Sequence, residues 1–424
     1  MIHDLLIVSV FFLIFEPLFL KDKYIVFSPI CIFFISFVFI YILPYYVFYI
    51  SPNLSFVSTV SKESIFHGYL MVRLFFYSFV SVITYQLYKL KYNQRIVFRP
   101  LNYTFHYSWV FLLFGVFFLF FLFKLGLGVG FSPFAMLDRF LNPRAYTYIK
   151  SGLGPITFLY SAIILIFQVV ITKSTFHKKN KLIYLALFFV FIIIMFGGSK
   201  STVLRVFFLW ILIYQKERFF SKSIKKKLSL LIKASLGLLL MLIIAFGLMS
   251  SQRSKLTNPI VIFEKIVEYQ EEAEHTVRIV TDFNWKFEYF TVGIFDTVFN
   301  FVPRYFWTSK PYMSYFNRYW REKYKPGSVM YHTSTYGCVA EAYMFLGMLG
   351  PFIYGILYAL VLSKVYRSFL HSTHFSMFIF NVMMISLIYF FVRMGFLFTT
   401  FWQIIIVGSI IWLITKKRYR FVLK

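Results

Sequence analysis

Residues 234–249 read ASLGLLLMLIIAFGLM, an apolar run in which no polar residue recurs at every second position. A barrel strand would alternate at that period, and a backbone in lipid must satisfy its own polar groups. Such a run is therefore a helix crossing a hydrocarbon core of about 30 Å. It lies inside a longer apolar stretch, 228–250, and ten more stretches have the same character: 4–20, 24–50, 66–88, 104–125, 155–172, 182–197, 201–215, 337–362, 375–392 and 395–415. The fold class expected is all-α, a polytopic transmembrane helical bundle of about eleven spans. The halves show no internal repeat, which argues against an inverted-repeat transporter.

Composition agrees. Of 424 residues, 60% are hydrophobic and only 14% charged, yet the net charge is +28. A disordered chain or a soluble nucleic-acid binder would be far more polar, so the partners expected are membrane lipid and not nucleic acid. The first apolar run has no basic flank before it and no small-residue cleavage site, which predicts a retained span. Cys31 and Cys338 lie in apolar stretches without CxxC spacing and suggest neither a disulfide framework nor a metal site.

The basic residues report orientation, because short cytoplasmic loops collect Lys and Arg. The connections around Lys21–Lys23, Lys89–Arg99, Lys173–Lys181, Lys216–Lys227, Lys364–Arg367 and Lys416–Lys424 hold 23 of the 44 basic residues, all on one side of an eleven-span layout. That side is the cytoplasm, with the C-terminus. The N-terminus and the connections 51–65, 126–154, 198–200, 251–336 and 393–394 then face out. The chain divides accordingly into helices 1–8 (1–250), a large outer loop (251–336), and helices 9–11 with a basic tail (337–424).

A loop of 86 residues in a compact membrane protein is usually functional. Asn258-Pro259 starts a helix in which Phe263, Ile266, Val267 and Gln270 alternate with Glu264, Glu268, Glu271 and Glu272 at helical spacing. It is expected to lie on the bundle or at the interface. A second helix, about 284–301, gathers Phe287, Phe290, Ile294, Val298 and Phe301 on one face before Pro303. Beyond it Arg304, Lys310, Arg318, Arg321, Lys323 and Lys325 stand among nine aromatics. Guanidinium groups can grip phosphate bidentately while Trp and Tyr rings stack on sugars. The same composition suits an interfacial anchor with snorkelling cations, a reading that fits Arg318–Lys325 better than Arg304 and Lys310, which prolines flank.

Further cations converge on the outer level: Arg144 in Asn-Pro-Arg, Lys200 in Gly-Gly-Ser-Lys, Arg205 one turn further, and Arg253 past the eighth span. A charge within a span costs about 2.5–3.5 kcal/mol on insertion scales, so Arg205 and Arg393 should face a partner or a polar cavity. Each alone reads as a structural pair or a snorkelling side chain; together they suit an anionic, lipid-linked substrate. Glu341 is the only acid in the last three spans. It reads either as a general base or as the partner of Arg253, Arg304 or Arg393. His332 is a second candidate base. His275 is a third, although a lone loop histidine is more often at the surface. No motif for zinc, a nucleotide donor or ATP is present, so no metal or cofactor is expected.

Two segments carry a family resemblance. Pro303-Arg304-Tyr305-Phe306-Trp307-Thr308-Ser309-Lys310-Pro311 is followed by Tyr336-Gly337-Cys338-Val339-Ala340-Glu341-Ala342-Tyr343-Met344-Phe345-Leu346-Gly347-Met348-Leu349-Gly350. The pairing resembles bacterial O-antigen and oligosaccharide repeat-unit polymerases (Wzy type), in which a Pro-Arg, aromatic, Lys-Pro stretch precedes a Glu-x-Tyr, Phe-x-Gly-x-x-Gly helix. Gly198-Ser199-Lys200 is similar to the family's Gly-Ser-Arg/Lys position, with Lys where Arg is common. The specific motifs cover about 50 residues, and the rest of the likeness is layout.

The resemblance implies a bundle similar to GT-C glycosyltransferases in the bacterial inner membrane, with the large loop periplasmic. The implied reaction moves the growing glycan from undecaprenyl pyrophosphate to an incoming lipid-linked repeat unit. The partners implied are that lipid-linked oligosaccharide, with a chain-length regulator and a flippase of the same pathway. Arg144, Arg253, Arg304 and Lys310 would hold the pyrophosphate with Lys200 and Arg205 in support. Glu341 or His332 would activate the acceptor hydroxyl, and Trp307, Tyr312 and Tyr336 would stack on sugar rings. The alternatives are an O-antigen ligase, which resembles this layout without the paired motifs, and a non-enzymatic lipid-linked oligosaccharide flippase. A flippase would be expected to have 12 to 14 spans in two related halves and short outer loops.

Overall fold

In the computed structural model the described residues are 29–50, 59–93, 271–299, 307, 315–324 and 336–371, with parts of 115–141 and 377–395. Most of them are helical, and they belong to an all-α, polytopic membrane helical bundle. The chain forms two compact units. One contains Met1–Val97, Leu256–Leu370 and Leu387–Gln403, and the other Phe98–Lys255, His371–Ser386 and Ile404–Lys424.

Three helical stretches are long and apolar enough to cross a membrane, and all lie in the first unit: Pro29–Phe48, Lys62–Gln86 and Leu349–Phe369. The first comprises α1 (Pro29–Phe37), a π-helical turn (Val38–Ile42) and α2 (Leu43–Ile50). The turn has a local cause. Pro44 has no N–H and its ring crowds the carbonyl four residues back, so the ladder widens just before it and Leu43 N–H bonds to the Val38 carbonyl. The extra residue per turn rotates Tyr41 into the core, where it is fully buried.

The second stretch is the start of α3 (Lys62–Asn93), whose first turn is closed by Ser61 accepting from the Ser64 N–H at 3.1 Å. Here α1 and α3 pack through rings: Phe33–Phe79 at 4.6 Å and Phe37–Phe75 at 5.0 Å between centroids. In the second unit, α4 (Pro133–Leu141) follows a tight turn in which Gly130 N–H reaches the Gly126 carbonyl at 2.9 Å.

Within residues 251–336 lie α5 (Glu271–Asp282), α6 (Glu288–Phe299) and α7 (Tyr315–Tyr324). Residues 251–270, which hold most of the first expected loop helix, lie outside the described residues. Its last polar position is turned the other way from the expectation. Glu272 is fully buried, because α5 packs between α3 and the helix that follows the loop, with Ala273, Thr276, Val277 and Ile279 on the same inward face. At Gly68 a Cβ would meet the Tyr45 hydroxyl and Val277 Cγ2, each at 2.8 Å, so α5 sits directly on the α3 backbone.

The stretch 337–362 is not one span. It divides into α8 (Gly337–Leu346) and α9 (Leu349–His371), parted at Gly347, where φ is +63° and ψ −147°. That conformation is nearly restricted to glycine. Gly347 N–H caps α8 at the Tyr343 carbonyl (2.8 Å), and Pro351 falls in the first turn of α9, where its missing N–H costs nothing. Only the second piece is long enough to span. Among the described residues the chain closes with α10 (Ile388–Met394), which ends at Gly395 with φ +82° and ψ 179°.

Small residues bring α3 and α9 together, since a Cβ on Gly355 would fall on the Ser78 hydroxyl and the Phe75 carbonyl. The Phe75 carbonyl is backbone and cannot turn aside. Gly355→Ala is expected to cost about 1–3 kcal/mol, read as a lowered unfolding temperature of the full-length protein in detergent.

Candidate functional site

In the first unit α8 is the axis of the site. Seven of its ten residues, Glu341 among them, are buried. Gly337, with φ +86°, starts the helix against the Tyr41 hydroxyl, a place no side chain could share. The Tyr41 hydroxyl donates to the Val392 carbonyl at 3.2 Å and lies 3.4 Å from the Val339 N–H, which donates to it. One phenol thus joins α8 to α10.

Arg393, in the last turn of α10, pairs through Nε with Oε1 of Glu272, and the arginine side chain keeps 20% of its surface exposed while that of Glu272 keeps none. Arg393 therefore faces a partner, and that partner comes from α5. Glu341 ends against Gly395: a Cβ there would coincide with its carboxylate, with Oε1 2.9 Å away. Two carboxylates, a guanidinium and a phenol thus gather where α5, α8 and α10 pack. Desolvation of such groups is expensive, which marks the place as a functional-site candidate.

His275 is 2% exposed, not at the surface, and its Nε2 lies 3.5 Å from a carboxylate oxygen of Glu271. Its burial follows from position: it lies one turn beyond Glu272 on the inward face of α5. Thr276 beside it satisfies its hydroxyl by donating to the Glu272 carbonyl at 2.9 Å.

An aromatic layer lies next to this cluster. Ile279, Phe283, Tyr336, Ala340 and Met344 form its buried centre, and Trp285, Tyr289, Tyr315, Tyr319, Tyr324, Tyr343 and Phe345 surround it. Here α7 docks on the end of α5. The Tyr324 hydroxyl donates to Asp282 Oδ2 at 2.7 Å, and Lys323 Nζ donates to the Asp282 carbonyl at 3.2 Å. Burial, followed by the bond with Asp282, holds the Tyr324 phenol well above its usual range, so it remains a donor. Lys323 thus serves the helix C-terminus, where a cation complements the free carbonyls.

Of the eleven residues to which the resemblance gives catalytic, pyrophosphate-binding or sugar-stacking roles, three are described. Glu341 and Tyr336 are buried in this unit, Tyr336 within the aromatic centre. Trp307 is half-buried, its ring edge-on to Phe295 at 6.1 Å. Arg144, Lys200, Arg205, Arg253, Arg304, Lys310, Tyr312 and His332 lie outside the described residues. Sequence reasoning did not single out Tyr41 or Glu272. Pro44 two positions after the π turn was the available signal for the first; the second has none in sequence, because a Glu in an acidic loop reads as solvated. Arg73, within the third stretch, was also overlooked, and its guanidinium stands over the Tyr69 ring at 4.7 Å.

Among the described residues no group of three or more His, Cys, Asp or Glu could hold a metal ion. Comparisons with protein-family models, curated proteins and solved structures return no match to this chain. The class defined by the fold is a multi-pass helical membrane protein.

Proposed function

We propose that this protein polymerises lipid-linked oligosaccharide repeat units at the outer face of the bacterial inner membrane. The growing glycan is carried on undecaprenyl pyrophosphate. The acceptor hydroxyl of an incoming lipid-linked repeat attacks the anomeric carbon of that glycan. A new C–O bond forms, the bond to pyrophosphate breaks, and the pyrophosphate leaves on its lipid. The acceptor proton passes to the base, for which Glu341 is the choice and His332 the alternative. Arg144, Arg253, Arg304 and Lys310, supported by Lys200 and Arg205, take the charge that develops on the leaving phosphate. Trp307, Tyr312 and Tyr336 belong to the sugar-recognising region. A chain-length regulator and a flippase acting on the same lipid-linked repeat are the expected companions.

The observation that carries this reading is the fully buried Glu341 on a short helix that breaks before the spanning part begins. Discontinuous helices with buried polar groups mark substrate sites in membrane proteins, because irregular backbone is tolerated only inside protein or along a cavity. A second observation is consistent with the orientation. Tyr45 with Ala273, Glu272 with Arg393, and Gly337 with Tyr41 meet at the end that loop charge assigns to the outside. Gln86 and Arg367, assigned to the cytoplasmic end, bond to each other at 2.7 Å.

Deletion of the gene tests the reading. Gel profiles of surface polysaccharide from the deleted cells should collapse to glycan with a single repeat. A complete absence of glycan would indicate a flippase, and polymer accumulating off the lipid A core a ligase. A full ladder would end the proposal.

A further inference from the structure

Resting on the polymerase reading, we propose that the Glu272–Arg393 ion pair, together with Tyr41 and Gly395, is a positioning element that holds the Glu341 carboxylate in register for transfer. The argument is geometric. Gly395 takes a φ/ψ pair nearly restricted to glycine, and the turn lays its Cα against the Glu341 carboxylate. The end of α10 thus forms one wall against the carboxylate.

That end is tied at three successive residues. The Phe391 carbonyl accepts from the Tyr358 hydroxyl at 3.3 Å, the Val392 carbonyl from the Tyr41 hydroxyl at 3.2 Å, and Arg393 pairs with Glu272. Two of these ties return to the helix that carries Glu341. Tyr41 accepts the Val339 N–H, and Glu272 Cβ lies 3.2 Å from where a Cβ on Gly337, one turn before Glu341, would stand. The path Glu341–Gly395–Arg393–Glu272–Gly337–Glu341 closes on itself.

A buried ion pair seldom adds stability over apolar side chains of the same volume. Its presence between the two segments that bracket Glu341 is accounted for by the geometry it imposes. Misplacing a reacting group by about 1 Å costs on the order of 100-fold in rate.

The test uses full-length protein, with the lipid extract of gene-deleted cells as substrate, and compares wild type with Glu272→Gln/Arg393→Gln. The double variant removes both charges and leaves neither one uncompensated. It should melt close to wild type, with kcat lower by about 100-fold and half-saturation within about twofold. Turnover within about threefold of wild type, or a loss confined to half-saturation, overturns the proposal. If the double variant does not fold, Tyr41→Phe decides. A drop in kcat of about tenfold at unchanged half-saturation supports positioning, and wild-type turnover overturns it. Deleted cells that keep a full ladder remove the polymerase reading and this inference together. Deleted cells that lose the ladder, while the variants polymerise normally, remove this inference alone.

Discussion

Glu341→Gln should leave cells with single-repeat glycan in place of the polymer ladder, with kcat lowered by at least about 100-fold, the usual contribution of a general base. Gln has nearly the volume of Glu, and the side chain is fully buried against Gly395, so the substitution removes a proton acceptor without opening a cavity. The protein should accordingly accumulate in the membrane and melt near the wild-type temperature. Glu341→Asp keeps the acid but draws it back by one methylene, and should fall between the two. A Gln variant that builds a normal ladder would strip Glu341 of the base role and move attention to His332.

Arg393→Ala should have the largest effect on stability, about 3–5 kcal/mol, the range for removing one partner of a buried ion pair. The reason lies with the residue left behind. Glu272 has no exposed surface, so removing the guanidinium leaves its charge cut off from water without its ion-pair partner in α10. Thermal unfolding of the purified variant, followed by a monodisperse gel-filtration peak, measures the loss. Adding Glu272→Gln to an Arg393→Gln chain should recover most of the lost unfolding temperature. If the single Arg393→Ala variant melts as wild type does, the buried Glu272 carboxylate does not depend on the guanidinium.

The helical, membrane-spanning character was legible because membrane insertion is governed by local composition. Runs such as 29–48 and 62–86 show their helices through length and hydropathy alone. The broken span was partly legible, since Gly347, Gly350 and Pro351 stand together, yet mean hydropathy across 337–362 hides the break. Of the site, Glu341 stood out as the only acid in its region and Arg393 as a charge that needed a partner. The identity of that partner was not legible. Glu272 and Arg393 are 121 positions apart, and nothing local distinguishes Glu272 from Glu271, which is 44% exposed.

The sequence by itself thus determined a polytopic helical membrane protein, the sidedness of its basic loops as an expectation, and a short set of chemically unusual residues. These follow from additive, local free energies of transfer, which a linear chain displays in full. Only the tertiary structure decided that an acidic loop helix is driven into the bundle, that Tyr41 faces inward on a π-helical turn, and that Glu272 meets Arg393 beside Glu341. Those outcomes depend on pairing between distant segments. The desolvation cost of each polar group is offset only by a partner that composition cannot name.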